Sequence, residues 1–217
     1  MTANKLTKRD VLQLLVVSGI AVGVGQLLRS TAPLGRDVSS NATAQAVLAD
    51  TIAPRSGPAD ADLTLVVFTD YQCPACRKAD PEMRAALAKD QKVRVIYKDW
   101  PIFGPVSERA ARVAVASNRQ GIYHQVHQAL MSRGGPLDEA ALRDAVDGAG
   151  GSWRNVEDYL KGFGSEIDLL LARTSREAFA LGIAGAPAYL VGGYLFIGAM
   201  TENQFSDTFV QGRGRQR

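Results

Sequence analysis

LTLVVFTDYQCPACRKADPEMRAALAKD, Leu63 to Asp90, holds the reading on which the fold turns. Leu63 to Phe68 is an apolar, β-branched run and reads as a buried strand. Thr69 to Gln72 make a short polar turn, and Cys73-Pro74-Ala75-Cys76 then opens a helix. Pro74 suits the first helical position, where no N–H is needed, so Cys73 falls at the N-cap. Free backbone N–H groups and the positive end of the helix dipole favour a thiolate there. Cys76, one turn on, points back against the strand. Residues three apart at a helix start lie within the Cα window that a disulfide requires. The stretch therefore predicts a redox-active dithiol, with Cys73 exposed and Cys76 shielded.

Downstream, Lys92 to Lys98 (KVRVIYK) alternates and is rich in β-formers, so a second strand follows the helix. Strand, helix and strand make a βαβ unit, expected to be parallel and right-handed. Pro81 is expected to kink the helix between them. Lys98 and Asp99 read as a solvated strand end. From Ser107 to Ser175 the pattern is helical, with runs broken at Gly121, at Arg133 to Pro136 and at the glycines after Asp147 and Leu160. Ser165 to Leu181 reads as a long helix closed by Gly182. Ala188 to Ile197 reads as a hairpin around Gly192-Gly193, and Thr201-Glu202-Asn203-Gln204 as a capping box for a final helix.

Upstream, Lys5, Lys8 and Arg9 precede an uncharged stretch, Val11 to Leu28, whose 18 residues suffice to span a bilayer. A basic flank before an apolar stretch at the extreme N-terminus predicts an export signal or anchor with its N-terminus in the cytoplasm. Thr7-Lys8-Arg9-Asp10-Val11-Leu12 resembles a twin-arginine signal with Lys in the first arginine place. Small-x-small cleavage motifs occur at Ser30 to Ala32, Ala42 to Ala44 and Ala44 to Ala46. Residues 29 to 58, rich in Ser, Ala, Thr, Pro and Gly, read as a tether.

The chain has 217 residues, 46% of them hydrophobic, which allows one ordinary domain plus an insertion or tail. A formal charge of +3 with scattered basic residues, and no cluster beyond the Arg213, Arg215, Arg217 tail, leaves no nucleic-acid footprint. Its two cysteines both lie in the one CxxC, so no structural disulfide framework is possible. Redox chemistry or half a metal site remains.

The order β-α-β, helices, α, β-β hairpin, α is that of an α/β thioredoxin-like fold with an inserted helical subdomain. Four stretches make the likeness specific: PRSGPADADLTLVVFTDYQCPACRKADP, VRVIYKDWPIFGP, ARVAVASNRQGIYHQVHQALM and LGIAGAPAYLVGGYLFIGA. Over residues 54 to 210 they resemble the successive blocks of the DsbA-like thiol:disulfide oxidoreductases. The resemblance implies that Cys73 is the reactive cysteine and Cys76 the resolving one. It also implies that Pro187 is a cis-proline facing them, and that Pro74, Ala75 and Ala186 border the substrate. No cofactor is implied beyond the Cys73–Cys76 disulfide. The expected partners are cysteine-containing exported proteins and a quinone-linked membrane protein that reoxidises the CxxC, all outside the cytoplasm.

The corresponding division is 1–28 export signal or anchor, 29–58 linker, 59–106 first part of the thioredoxin-like domain, 107–175 helical insertion and 176–217 second part with a basic tail. The sequence departs from familiar members at three points. Pro-Ala between the cysteines offers no histidine, Val67 stands where many relatives place a buried acid, and Ala186 precedes Pro187 where Thr or Val is commoner. Helix-start stabilisation of a Cys73 thiolate predicts an oxidant that forms disulfides in its substrates; the same CxxC would serve a reductase or isomerase with electron flow reversed. A rival of another class is a zinc-stabilised binding module using Cys73, Cys76, His124 and His127. Its His-x2-His spacing lies outside the usual range, and 47 residues separate Cys76 from His124.

Overall fold

The structure, a computed structural model, describes residues 35–214. Six strands form one sheet: β1 (Arg36–Asp37), β2 (Arg55–Ser56), β3 (Leu63–Thr69), β4 (Val93–Asp99), β5 (Ala188–Val191) and β6 (Tyr194–Ile197). Their order across the sheet is β1-β6-β5-β3-β4-β2. β3 and β4 run parallel, from Leu63 opposite Val93 to Thr69 opposite Asp99, as the βαβ reading predicts. β5 lies antiparallel on the other side of β3, with Tyr189 opposite Val67. The hairpin turns at Gly192 and Gly193, both at positive φ, and a Cβ on Gly192 would sit 2.7 Å from the Gly212 backbone. Only glycine fits that turn.

The helices are α1 (Ala42–Leu48), α2 (Pro74–Lys89), α3 (Pro105–Ser117), α4 (Tyr123–Ser132), α5 (Glu139–Gly148), α6 (Trp153–Ala180) and α7 (Glu202–Gly214). Because β3 and β4 are buried on both faces, the sheet separates two apolar cores. On one face Leu65, Val67, Val95 and Tyr97 pack with Cys76, Ala79 and Met83 of α2, with Phe205 and Phe209 of α7, and with α3 to α5. On the other, Val66, Phe68, Ile96 and Trp100 pack with Ala44 and Val47 of α1 and with Ala178 and Leu181. At α7 the capping box is formed: Thr201 N donates to Gln204 Oε1 at 2.9 Å, and Gln204 N to Thr201 Oγ1 at 3.4 Å.

Several expectations need correction. From Gly35 onward the expected tether is part of the domain: β1 pairs with β6, β2 pairs with β4, and α1 buries Ala44 and Val47. Its few apolar residues are spaced to fill one helix face, which composition averaged over 29–58 conceals. A cut at Ala44 or Ala46 would remove β1. The two helices read around Gly162 and Gly164 are one run, α6, with a single non-helical residue at Phe163 (φ −128°, ψ 15°). The inserted helices begin at Pro105, capped by Gly104, and extend to Ala180, beyond the 107–175 expected. Arg213 belongs to α7, where it pairs with Asp62 and Asp90, so it is no free tail. Residues 11–28, Ser30 to Ala32, Arg215 and Arg217 lie outside the described residues. Among the described residues no helix is long and apolar enough to cross a membrane.

Lys98 and Asp99 are not a solvated strand end. Lys98 is fully buried and pairs with Asp50 and with Glu177, the latter at 2.7 Å, while Arg173 also reaches Asp50. Asp50 enters from the segment after α1, so no local pattern around Lys98 announces the pairing. Asp99, on the opposite face, accepts from the Tyr123 hydroxyl at 3.0 Å.

Candidate active site

Cys73 is the N-cap of α2, with Pro74 in the first turn. Its sulfur accepts from Cys76 N at 3.2 Å, satisfying one of the free N–H groups of the helix start. From the other side the Cys73 thiol donates to the Ala186 carbonyl at 3.3 Å, and the Ala186–Pro187 peptide is cis. Strand β5 thus brings Ala186 and Pro187 against the CxxC across 113 residues of chain. Pro74 and Ala75 lie in the first turn between the cysteines, Ala75 packing against the core. Cys73 is not the exposed sulfur expected from its cap position; both cysteines are 2% exposed. What separates them is acidity. The Cys76 thiol donates to Cys73, and the N–H groups of Cys76 and Ala75 add to this. Together they outweigh burial and the nearby Asp70 charge and bring Cys73 down to about 7 from 9.0. The same hydrogen bond, with burial, pushes Cys76 well above the usual thiol range.

Sequence reasoning assigned no role to Asp70, which the structure places at the centre of the turn. It is 1% exposed, and its carboxylate accepts four hydrogen bonds. Gln72 N (2.6 Å) and Ser107 Oγ (2.7 Å) donate to Oδ1; Ile102 N (2.7 Å) and Phe103 N (3.1 Å) donate to Oδ2. Its own carbonyl accepts from Cys73 N at 3.2 Å. Asp70 therefore fastens the turn that carries Cys73 to the 101–107 loop, whose Ile102, Phe103 and Val106 side chains stand exposed. The Thr-Asp-Tyr-Gln turn before a CxxC is the only sequence signal, since three of the four donors lie in the distant 102–107 segment. Ser107→Ala removes one donor to a buried charge and is expected to cost about 1.5–3 kcal/mol, measurable as a shift of the denaturant midpoint at unchanged slope.

Behind the turn lies a buried polar cluster. Tyr71 Oη and His127 Nδ1 share a 3.0 Å hydrogen bond, and Tyr97 and Tyr123 pack against the same imidazole. Burial is the main reason that Asp99 rises to about 6, opposed by His127 and by the Tyr123 and Tyr71 hydroxyls. His124 Nδ1 shares a 3.0 Å hydrogen bond with Tyr97 Oη, and its Nε2 lies 2.9 Å from Gln128 Nε2. The histidines thus face tyrosines, a glutamine and Asp80, and the Cys2His2 set is not assembled. Among the described residues no group of three or more His, Cys, Asp or Glu side chains could hold a metal.

The family model for the DSBA-like thioredoxin domain matches residues 64–210. A thioredoxin-like oxidoreductase from Silicibacter pomeroyi DSS-3 is similar in structure, with a TM-score of 0.73 and 31% identity over 78% of this chain and 97% of that one. The thiol-disulfide exchange protein alpha-DsbA2 from Wolbachia pipientis gives a TM-score of 0.73 and 26% identity over 79% and 96%. A periplasmic thioredoxin-like protein from Salmonella enterica serovar Typhimurium gives 0.68 and 26% over 80% and 97%. The curated relatives are longer proteins. Na(+)/H(+) antiporter NhaA 1 of Salinispora arenicola is 32% identical over 88 residues, 40% of this chain but 14% of that protein. The chain spans only that small part of it, and the antiport named there is that protein's.

Proposed function

The chain belongs to the DSBA-like thioredoxin-domain family and is a thiol:disulfide oxidoreductase; from that premise we propose that it acts outside the cytoplasm as a net oxidant of cysteine-containing proteins. In the proposed cycle a substrate thiolate attacks Cys73 Sγ of the Cys73–Cys76 disulfide. A mixed disulfide forms and Cys76 departs with the electron pair of the broken S–S bond. The substrate's second thiolate then attacks the substrate sulfur, releasing oxidised substrate and leaving both cysteines reduced. Ala186 and Pro187 would border the incoming chain, and Pro74 and Ala75 its other side. Reoxidation is assigned to a membrane redox protein. The basic N-terminal flank with its apolar stretch, and the likeness to a periplasmic protein, support export.

The observation that carries the direction is the place of Cys73 at the start of α2, where its sulfur accepts from Cys76 N at 3.2 Å and the thiol is made more acidic. A thiolate stabilised in the reduced protein makes the disulfide the less stable form, and hence an oxidant. Because the folded pKa is the lower one, this stabilisation of the reduced fold is complete above pH 9.0 and fades as pH falls through about 7. Parallel denaturation series of the disulfide and dithiol forms test it. The dithiol form is expected to gain on the disulfide form between those pH values. A dithiol form that is less stable throughout would overturn the oxidant reading in favour of a reductase or isomerase.

A further inference from the structure

A cleft of about 470 Å³, to which the exchange reaction assigns nothing, opens between α2, α4 and the β2–β4 edge of the sheet. That volume lies within the range of about 300–1,000 Å³ usual for small-molecule sites. Regular spacing builds it. Arg84, Leu87 and Ala88 share one face of α2, and Val93 and Val95 point from β4 to one side of the sheet. His124 and Gln128 stand one turn apart on α4, and Ser56 closes the edge from β2. Leu87, Ala88, Val93 and Val95 give the cleft an apolar floor, the part of a site that holds the body of a ligand.

A chain of hydrogen bonds runs along one wall. Gln128 Nε2 lies 2.9 Å from His124 Nε2, His124 Nδ1 lies 3.0 Å from Tyr97 Oη, and Tyr97 Oη lies 3.0 Å from Ser56 Oγ. Burial, and then the nearby His127, lowers the His124 pKa below 6.5, so near neutral pH the imidazole has one donor nitrogen and one acceptor. An amide nitrogen can only donate, which sets the order of the chain. Gln128 donates to His124 Nε2, Nδ1–H donates to Tyr97, and the Tyr97 hydroxyl donates to Ser56. This order leaves the Gln128 carbonyl oxygen over as an acceptor on the cleft wall. The charges at the rim are already answered within the protein: Arg84 donates to Asp80 at 2.9 Å, and Asp90 accepts both arms of Arg213. The cleft therefore offers an apolar floor and an acceptor, and calls for no counter-ion. We propose that it binds a neutral, hydroxyl-bearing apolar molecule, its body against Leu87, Val93 and Val95 and its hydroxyl donating to the Gln128 carbonyl. A carboxylate in that place would meet a carbonyl oxygen and lose its water without a partner, so it is disfavoured.

Equilibrium dialysis of the full-length protein against 2-naphthol, naphthalene and 2-naphthoate tests this, since the three share one apolar body and differ in the head. 2-Naphthol is expected to bind at least about fivefold more tightly than either of the others, the worth of one added hydrogen bond. Gln128→Leu should remove that preference and leave naphthalene binding in place. Ala88→Trp adds bulk at an exposed position of the cleft, and should weaken 2-naphthol at least about tenfold with thermal unfolding unchanged. No saturable 2-naphthol binding below about 1 mM would overturn the proposal. So would binding indifferent to Ala88→Trp, which would place the ligand elsewhere, or a preference for 2-naphthoate, which would make Arg84 an anion site. If Gln128→Leu does not fold, 2-methoxynaphthalene, which cannot donate, decides in its place. It should bind no better than naphthalene, and binding equal to that of 2-naphthol would overturn the assigned acceptor.

Discussion

Replacing Cys73 by Ser is expected to reduce thiol–disulfide exchange to background, and replacing Cys76 by Ser to leave mixed disulfides standing at Cys73. In the proposed cycle the first change deletes the sulfur that a substrate thiolate attacks. The second deletes the intramolecular thiol that would release the adduct, so escape depends on outside thiols. Since both sulfurs are equally buried, the difference between them is one of ionisation. Near neutral pH Cys73 is the readier of the two to ionise, whereas Cys76 is held protonated. Limited alkylation of the reduced, folded protein followed by peptide mapping should therefore mark Cys73 first. Preferential marking of Cys76, or full exchange by the Cys73→Ser protein, would reverse the assignment.

Lys98→Met is expected to be the most destabilising single change outside the site. It leaves Asp50 (side chain 4% exposed) and Glu177 (16%) facing the space of a fully buried ammonium, with only Arg173 (29%) to answer them. Removing one member of a buried ion pair typically costs about 3–5 kcal/mol. Burial raises the Asp50 carboxyl, and the Lys98 hydrogen bond leads the effects that bring it below 3.8. A depressed carboxyl stabilises the fold above its unfolded pKa and ceases to do so as pH falls through the folded one. Without Lys98 that contribution is gone, so the gap between variant and parent should be widest near neutrality. It should narrow as pH falls below 3.8 and Asp50 protonates. The double change Asp50→Leu with Lys98→Met should recover most of the loss. Urea unfolding at neutral and acid pH reads both effects. A loss below about 1 kcal/mol at neutrality would mean that Arg173 alone suffices.

The parts of the molecule legible in sequence are those written in local pattern. The β-branched run of β3, the N-cap cysteine before Pro74, the glycine pair of the hairpin and the Thr201–Gln204 box each encode their geometry within a few residues. What escaped is what depends on partners far along the chain. Lys98 looks like a solvated strand end because its counter-ions, Asp50 and Glu177, lie 48 and 79 residues away. Asp70 looks like an ordinary turn residue because three of its four donors come from residues 102 to 107. The cover over Cys73 comes from Ala186, so no count of polar residues around the CxxC predicts it. The Phe163 kink looks like a gap in the sequence because Gly162 and Gly164 carry stop signals that packing of the helix overrides.

The two-residue strands β1 and β2 lie at opposite ends of the sheet, and both come from residues 35–58. Each is shorter than the strand it covers, yet each occupies main-chain donors and acceptors of β6 and of β4. An uncovered strand edge is a template for pairing with another chain. The matched family region begins at residue 64, after both covers. A protein trimmed to that boundary would keep the cysteines and the helical insertion while baring two edges at once, apolar Val93, Val95 and Leu195 among them. It should form intermolecular β-sheet and precipitate. The same chain begun at Gly35 should remain dispersed.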